Sequence, residues 1–413
     1  MPQIRALSKG ARITGGVFAL LFALQTWSWV VYDIANLGFG TCWDMWAGAV
    51  SAGGGPHLEA MPATTATDLG LGLLQLAAVF AAFTGAWTSG GLLTVMAVLT
   101  FSYRLPVIWH AGAHTRSTPF YVFPRFFGDS SLDVAMATSA LSTLLTPVLF
   151  IVLLAGIRPW PAPPRPTALV GPDGLPVQTA QEPEPPLPSE SPQHPTGPGA
   201  AVAGGYLAVL CAFSLGWCVY LLIDTDFQTW LSLLTGEHAL FALLDVAPVW
   251  DWLTLAPLCA VGALLAMTRR VSARGYSLGV ALASLPVALL ALWGLVDRGA
   301  LFTLGEEGQI ASLFTKLELF LTVVGGIALI VLAVRPGVAA RPGAPLQAGP
   351  MGPMGPMPMG APGPMGPAPM GGPGQAGAPP FPQQQPPQPY FPPQQPPAAP
   401  PQGGGFGPPP PGA

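Results

Sequence analysis

"VLLAGIRPWP" (152–161) ends one long apolar run, and "IVLAVRPG" (330–337) ends another much later in the chain. Both pass from aliphatic residues straight into Arg-Pro. Arginine suits the level of lipid headgroups, and proline stops a helix because it has no backbone N–H. Two membrane-like segments with the same ending raise the question of how many such segments there are, and whether they are repeated.

Apolar residues make up 51% of the chain and charged residues only 8%, against about 25% charged in ordinary soluble domains. Nearly uncharged runs of about 18 residues or more read as transmembrane helices. Eight occur, at 13–32, 69–87, 91–109, 134–157, 201–223, 252–268, 276–296 and 317–334. The third contains Arg104 and the last has Glu318 near its start. An all-α polytopic membrane protein is expected. The first run follows Arg5, Lys9 and Arg12 as a secretory signal would. It is longer than a signal core and has no small-x-small cleavage site after "WSWVVYDI", so a retained first helix is expected.

Lysine and arginine accumulate on cytoplasmic flanks. With the N-terminus inside, ten of the 15 basic residues fall on that side: Arg5, Lys9, Arg12, Arg158, Arg165, Arg269, Arg270, Arg274, Arg335 and Arg341. Both termini are therefore expected in the cytoplasm, with the protein in the cell (inner) membrane. Arginine outnumbers lysine thirteen to two and Ala, Gly and Pro abound, a composition that fits a GC-rich bacterial genome.

Aligning Arg158-Pro159 with Arg335-Pro336 also matches "FGD" (127–129) with "LGE" (304–306). "LPV" occurs at 105–107 and 285–287, and "GGVFALLFA" (15–23) resembles "GGYLAVLCA" (204–212). The order of long outer loop, tight inner turn and medium outer loop also recurs. The expected architecture is two tandem four-helix units in parallel orientation, at 1–157 and 200–335. Between them, 158–199 is too rich in proline for helix or strand and reads as a disordered cytoplasmic linker. The tail, 336–413, has no Asp, Glu, Lys, Arg or His after Arg341. Its Gly-Pro-Met triplets lose register too soon for a collagen helix. A disordered Pro/Gly/Met/Gln-rich tail is expected, with P-x-x-P stretches that suit aromatic-lined grooves of cytoplasmic partners. Met351, Met354, Met357 and Met359 have no Cys or His beside them, so no copper site is expected.

Ionisable residues in a membrane span are the first place to look for function. Arg104 lies near the outer end of the third run, with Asp33, Asp68 and Asp133 at neighbouring outer edges. Together they form a candidate polar path, although snorkelling to the headgroups accounts for Arg104 equally simply. The LPV alignment places Ser284 opposite Arg104. His110 and His114, spaced i, i+4, are metal candidates without an assignable third ligand. Asp68 and Asp251 precede helices and read as caps. Lys316 and Glu318 fall at the start of the last run. The outer tryptophans, including Trp27, Trp109, Trp250 and Trp293, read as an interfacial belt. "FGTCWDMWAGAV" and "FQTWLSLLTG" read as short helices on the outer leaflet. Four cysteines do not make a disulfide framework.

No nucleophile elbow, phosphate loop or dinucleotide fingerprint is found, so neither an enzyme nor a cofactor is expected. Basic residues form no patch for nucleic acid. Two classes remain. One is a non-catalytic membrane scaffold whose partners are the lipid bilayer and cytoplasmic proteins that bind the tail. The other is a small-molecule transporter or channel with a site between the two units near Arg104.

Overall fold

Ten helices and four short strands follow one another in the computed structural model, which describes residues 5–48, 61–114, 119–122, 130–159, 192–303, 309–335 and 337–339. In chain order they are β1 (Arg5–Leu7), α1 (Lys9–Leu37), α2 (Phe39–Trp46), α3 (Ala66–Phe83), α4 (Ser89–Ala113) and α5 (Ser130–Ala155). There follow β2 (Ile157–Pro159), β3 (Gln193–His194), α6 (Gly197–Asp224), α7 (Phe227–Thr235), α8 (Pro248–Met267), α9 (Ala273–Asp297), α10 (Gln309–Val334) and β4 (Val338–Ala339). The described residues belong to one compact unit, Met1–Gln347. Positions 160–191 of the linker, the tail from 340 onward and the FGD and LGE motifs lie outside the described residues.

Eight of these helices are long and apolar enough to cross a membrane. The shortest, α3, has 18 residues and spans about 27 Å, close to the thickness of a bilayer's hydrocarbon core. Leu24, Phe80, Leu144, Ile223, Leu264 and Phe320 are exposed on helix surfaces, where only lipid would shield them. The chain has the architecture of a polytopic membrane protein.

All eight apolar runs contain a helix, with corrected ends. The second stops at Phe83 rather than 87, because Gly85 turns the chain at φ +79°. The eighth begins at Gln309 rather than 317, so Lys316 and Glu318 lie inside α10. Their polar ends are engaged there: Lys316 Nζ donates to Thr303 O, and Glu318 accepts from Trp217 Nε1 at 2.6 Å. Both short helices expected between the long ones form, as α2 and α7. In α2, however, Cys42 and Trp46 are buried against α1 and α9, so this helix is packed into the protein on one face.

The sequence of one long, one short and three long helices occurs twice. Serine 8 caps α1 by accepting from Ala11 N, and Thr196 caps α6 by accepting from Gly199 N. β1 pairs antiparallel with β2, setting Ala6 opposite Arg158; β3 pairs with β4, setting His194 opposite Val338. The tight turns match bond for bond at a separation of 184 residues (Thr84 to Thr268). Thr84 N and Oγ1 bond Phe80 O, as Thr268 N and Oγ1 bond Leu264 O. Ala86 N reaches Ala81 O, and Arg270 N reaches Leu265 O. These bonds close a left-handed helix cap, with Gly85 at φ +79° in one turn and Arg269 at φ +51° in the other. The same separation carries α4 onto α9 at both ends.

This register corrects two sequence matches. The LPV pairing uses a separation of 180 (105 to 285), one helical turn out of step, so Arg104 corresponds to Ala288 rather than Ser284. Arg158 lies within β2, whereas Arg335 closes the end of α10 three residues before β4 begins. The two Arg-Pro signatures are not equivalent positions. Apolar sequence offers many near matches, and caps and turns fix register better.

The helices meet through glycine. A Cβ on Gly275 would lie 2.1 Å from Thr88 O, and one on Gly91 would lie 2.7 Å from Ser272 O. These contacts are reciprocal across the separation of 184, the pattern of a two-fold contact. Gly70 on α3 meets Ala283 O of α9 as closely, at 2.1 Å. Close backbone approach through small residues is the usual basis of helix association in membranes.

Candidate functional site

Tyr103 and Arg104 are consecutive on α4, so their side chains leave the helix about 100° apart and reach different neighbours. Arg104 Nη2 pairs with Asp68 Oδ1 on α3 at 2.8 Å. Tyr103 Oη donates to Asp251 Oδ1 on α8 at 2.8 Å. Arg104 is 1% exposed and Asp68 3%. Arg104 therefore does not snorkel; it is enclosed between helices. Asp68 serves twice, because its Oδ2 also accepts from Thr65 N at 2.9 Å and completes a capping box at the start of α3.

A second consequence of sequence sits one turn away. Pro106 lies inside α4 and removes the N–H that would bond Ser102 O. Trp250 Nε1 takes that carbonyl at 2.8 Å, and the Ser102 and Thr254 hydroxyls bond each other at 2.5 Å. Deeper along α3, Gln75 Nε2 donates to Thr100 Oγ1 at 3.2 Å. Three buried polar atoms in this region have no hydrogen-bond partner among the described residues, Arg104 Nη1, Gln75 Oε1 and His110 Nδ1.

Asp33, buried near the end of α1, accepts from Ala63 N and Thr64 N, each at 2.7 Å, and from Thr64 Oγ1. It fastens the loop ahead of α3 rather than facing Arg104. Asp133 is exposed in the first turn of α5, where it complements the helix dipole. Of the four residues of the expected polar path, the structure brings together Arg104 and Asp68. Asp251, expected only as a cap, and Tyr103 complete the cluster.

α4 continues past Pro106 to Ala113, and the two histidines engage different partners. His110 Nε2 donates to Thr235 O, the last carbonyl of α7, at 2.6 Å, and Trp109 Nε1 reaches the same oxygen at 3.2 Å. His114 Nδ1 accepts from Phe120 N at 3.2 Å, and burial lowers its pKa below the usual range. Among the described residues, no group of three or more His, Cys, Asp or Glu is placed to hold a metal ion. The four cysteines are free thiols.

Loops between the long helices cover this end of the bundle. Val122 N bonds Leu240 O and Leu240 N bonds Phe120 O, while Leu243 N and Leu244 N bond Pro62 O and Ala63 O. Asp245 accepts from Phe241 N and Val246 N. Burial, reinforced by the Asp68 and Asp251 carboxylates, outweighs these bonds and pushes its pKa up to about 7.

Comparison of the chain with protein-family models, curated proteins and solved structures found no match. The site must be read from its own chemistry. It offers one buried ion pair, a tyrosine–carboxylate bond and three unfilled hydrogen-bonding positions, in a close-packed region under a stitched cap.

Proposed function

We propose that this protein is a non-catalytic scaffold of the bacterial cell membrane. In this reading it consists of two tandem four-helix units in parallel orientation, with both termini in the cytoplasm and the proline-rich tail as its interaction region. The observation that carries the reading is how the polar side chains of the outer end are spent. Asp33, Asp68, Asp251 and His110 each bond a partner within the protein, and glycine seams draw the helices to backbone contact. Such a body suits anchoring. The tail, without Asp, Glu, Lys, Arg or His after Arg341, is the segment left to meet soluble partners through polyproline II docking. The recurrent caps, ladders and turns support duplication, and the arginine bias supports the orientation.

Crosslinking and pull-down from native membranes test this, comparing the full chain with one stopped at Arg341. The scaffold reading expects a set of partners captured only with the tail. Identical partner sets would overturn it.

A second reading, a small-solute path near Arg104, is favoured by the unfilled positions at Arg104 Nη1 and Gln75 Oε1. It expects Arg104→Ala to abolish uptake or efflux of a polar solute in vesicles. Unchanged flux would remove it.

A further inference from the structure

At the end of the bundle where α6 begins and α10 ends, a cavity of about 370 Å³ opens between α6, α9 and α10. Its volume is within the range of roughly 300–1,000 Å³ common to small-molecule sites. Val202, Ala203, Leu329 and Leu332 give it an apolar wall, while Arg274 and Arg335 bring positive charge. Arg269 lies beside the lining rather than in it: its Nη2 is 3.1 Å from where a Cβ would lie on Gly197, the residue between the lining residues Thr196 and Pro198. No carboxylate lines the cavity among the described residues.

Arg274 is committed to the protein. Nη1 donates to Gln193 Oε1 at 3.0 Å and Nη2 to Ala333 O at 2.8 Å, and the guanidinium lies 4.3 Å from the centre of the Trp87 ring. It contributes charge from a fixed position. Arg269 and Arg335 are exposed and free to turn toward a ligand. The first turn of α6 adds the positive end of a helix dipole. Within the cavity, Ser277 is 4% exposed, and its hydroxyl has no partner among the described residues.

An apolar slot between membrane helices, a cationic rim and an unused hydroxyl in its wall together match one chemistry. We propose that this cavity binds an anionic phospholipid, with the phosphate between Arg269 and Arg335, the ester region at Ser277, and one acyl chain against α6 and α10. Basic pockets between membrane helices recognise anionic headgroups in this way. The slot holds only the upper part of a chain, and the remainder joins the surrounding lipid.

The test is native mass spectrometry of the full-length protein, titrated with phosphatidylglycerol or phosphatidylcholine. The protein is expected to retain one phosphatidylglycerol in preference to phosphatidylcholine, and to lose it as salt rises. Arg269→Gln and Arg335→Gln, both at exposed positions, should each weaken retention about fivefold, as expected for a basic residue near an anionic headgroup. A photo-crosslinking side chain at Val202 should capture lipid. Equal retention of the two lipids, or unchanged retention in both arginine variants, would overturn the proposal. Capture of the chain's own tail at Val202 would overturn it too, by making the tail the occupant.

Discussion

The α3–α4 hairpin and the α8–α9 hairpin share a backbone and differ in chemistry. Their turns repeat the same hydrogen bonds, and their glycines make reciprocal contacts at the seam. Yet Asp68 and Arg104 have no counterparts: the matching positions are Trp252 and Ala288. The features that repeat are those that build helices, namely caps, turns and close approaches. The polar cluster arises where the two hairpins differ, because α4 reaches both α3, through Arg104, and α8, through Tyr103. An activity that used the Arg104–Asp68 pair would therefore belong to one hairpin and its neighbour, with no equivalent in the other.

The sharpest way to probe that difference is to remove one charge. Arg104→Leu leaves Asp68 buried without its counter-ion and should cost about 3–5 kcal/mol of stability, read by thermal unfolding in detergent. Adding Asp68→Leu should recover most of that loss, short of about 1 kcal/mol for the helix cap. If the double variant is no more stable than the single, the pair is not the cause. Next comes the shared seam. Gly275→Leu forces a side chain onto Thr88 O and should cost about 3 kcal/mol. Gly205→Ala, with nothing within 4 Å of the new carbon, should be nearly neutral. Trp250→Phe strands the carbonyl that Pro106 leaves free and should cost about 1–3 kcal/mol in the same assay.

A pH-dependent effect concerns the cap over the cluster. The pKa of Asp245 is raised to about 7 in the folded protein, so the native state holds a proton that the unfolded chain releases near pH 4. Its contribution to stability is thus greatest below pH 4, declines as pH rises to about 7, and then levels off. Asp245→Asn should gain relative to the parent protein over that window when melting is followed against pH. A constant difference would show that Asp245 is ionised throughout.

Much of this architecture was legible in the sequence because membrane spans are written in composition. Eight apolar runs contain eight helices, and two aromatic segments form the short helices α2 and α7. Register was not legible. LPV and Arg-Pro recur because aliphatic and terminating residues recur, whereas the matching positions are marked by caps such as Ser8 and Thr196 that look unremarkable in one dimension. Arg104 and Asp68 stood out as charges in apolar surroundings. The Tyr103–Asp251 bond did not, since it joins residues 148 apart whose meeting depends on how α4 packs against α8. Pro106 was a usable clue, because a helix that survives an internal proline must satisfy the freed carbonyl elsewhere.

The central claim is that two four-helix units lie parallel in the membrane. It can be tested by labelling single cysteines in a cysteine-free background with a membrane-impermeant thiol reagent. Asn36→Cys and Asp224→Cys mark the ends of α1 and α6; Thr84→Cys and Thr268→Cys mark the two tight turns. All four positions are exposed. Positions 36 and 224 should label from outside intact cells, and 84 and 268 only after the membrane is opened. If either pair splits, with one member labelled from each side, the two units are not parallel.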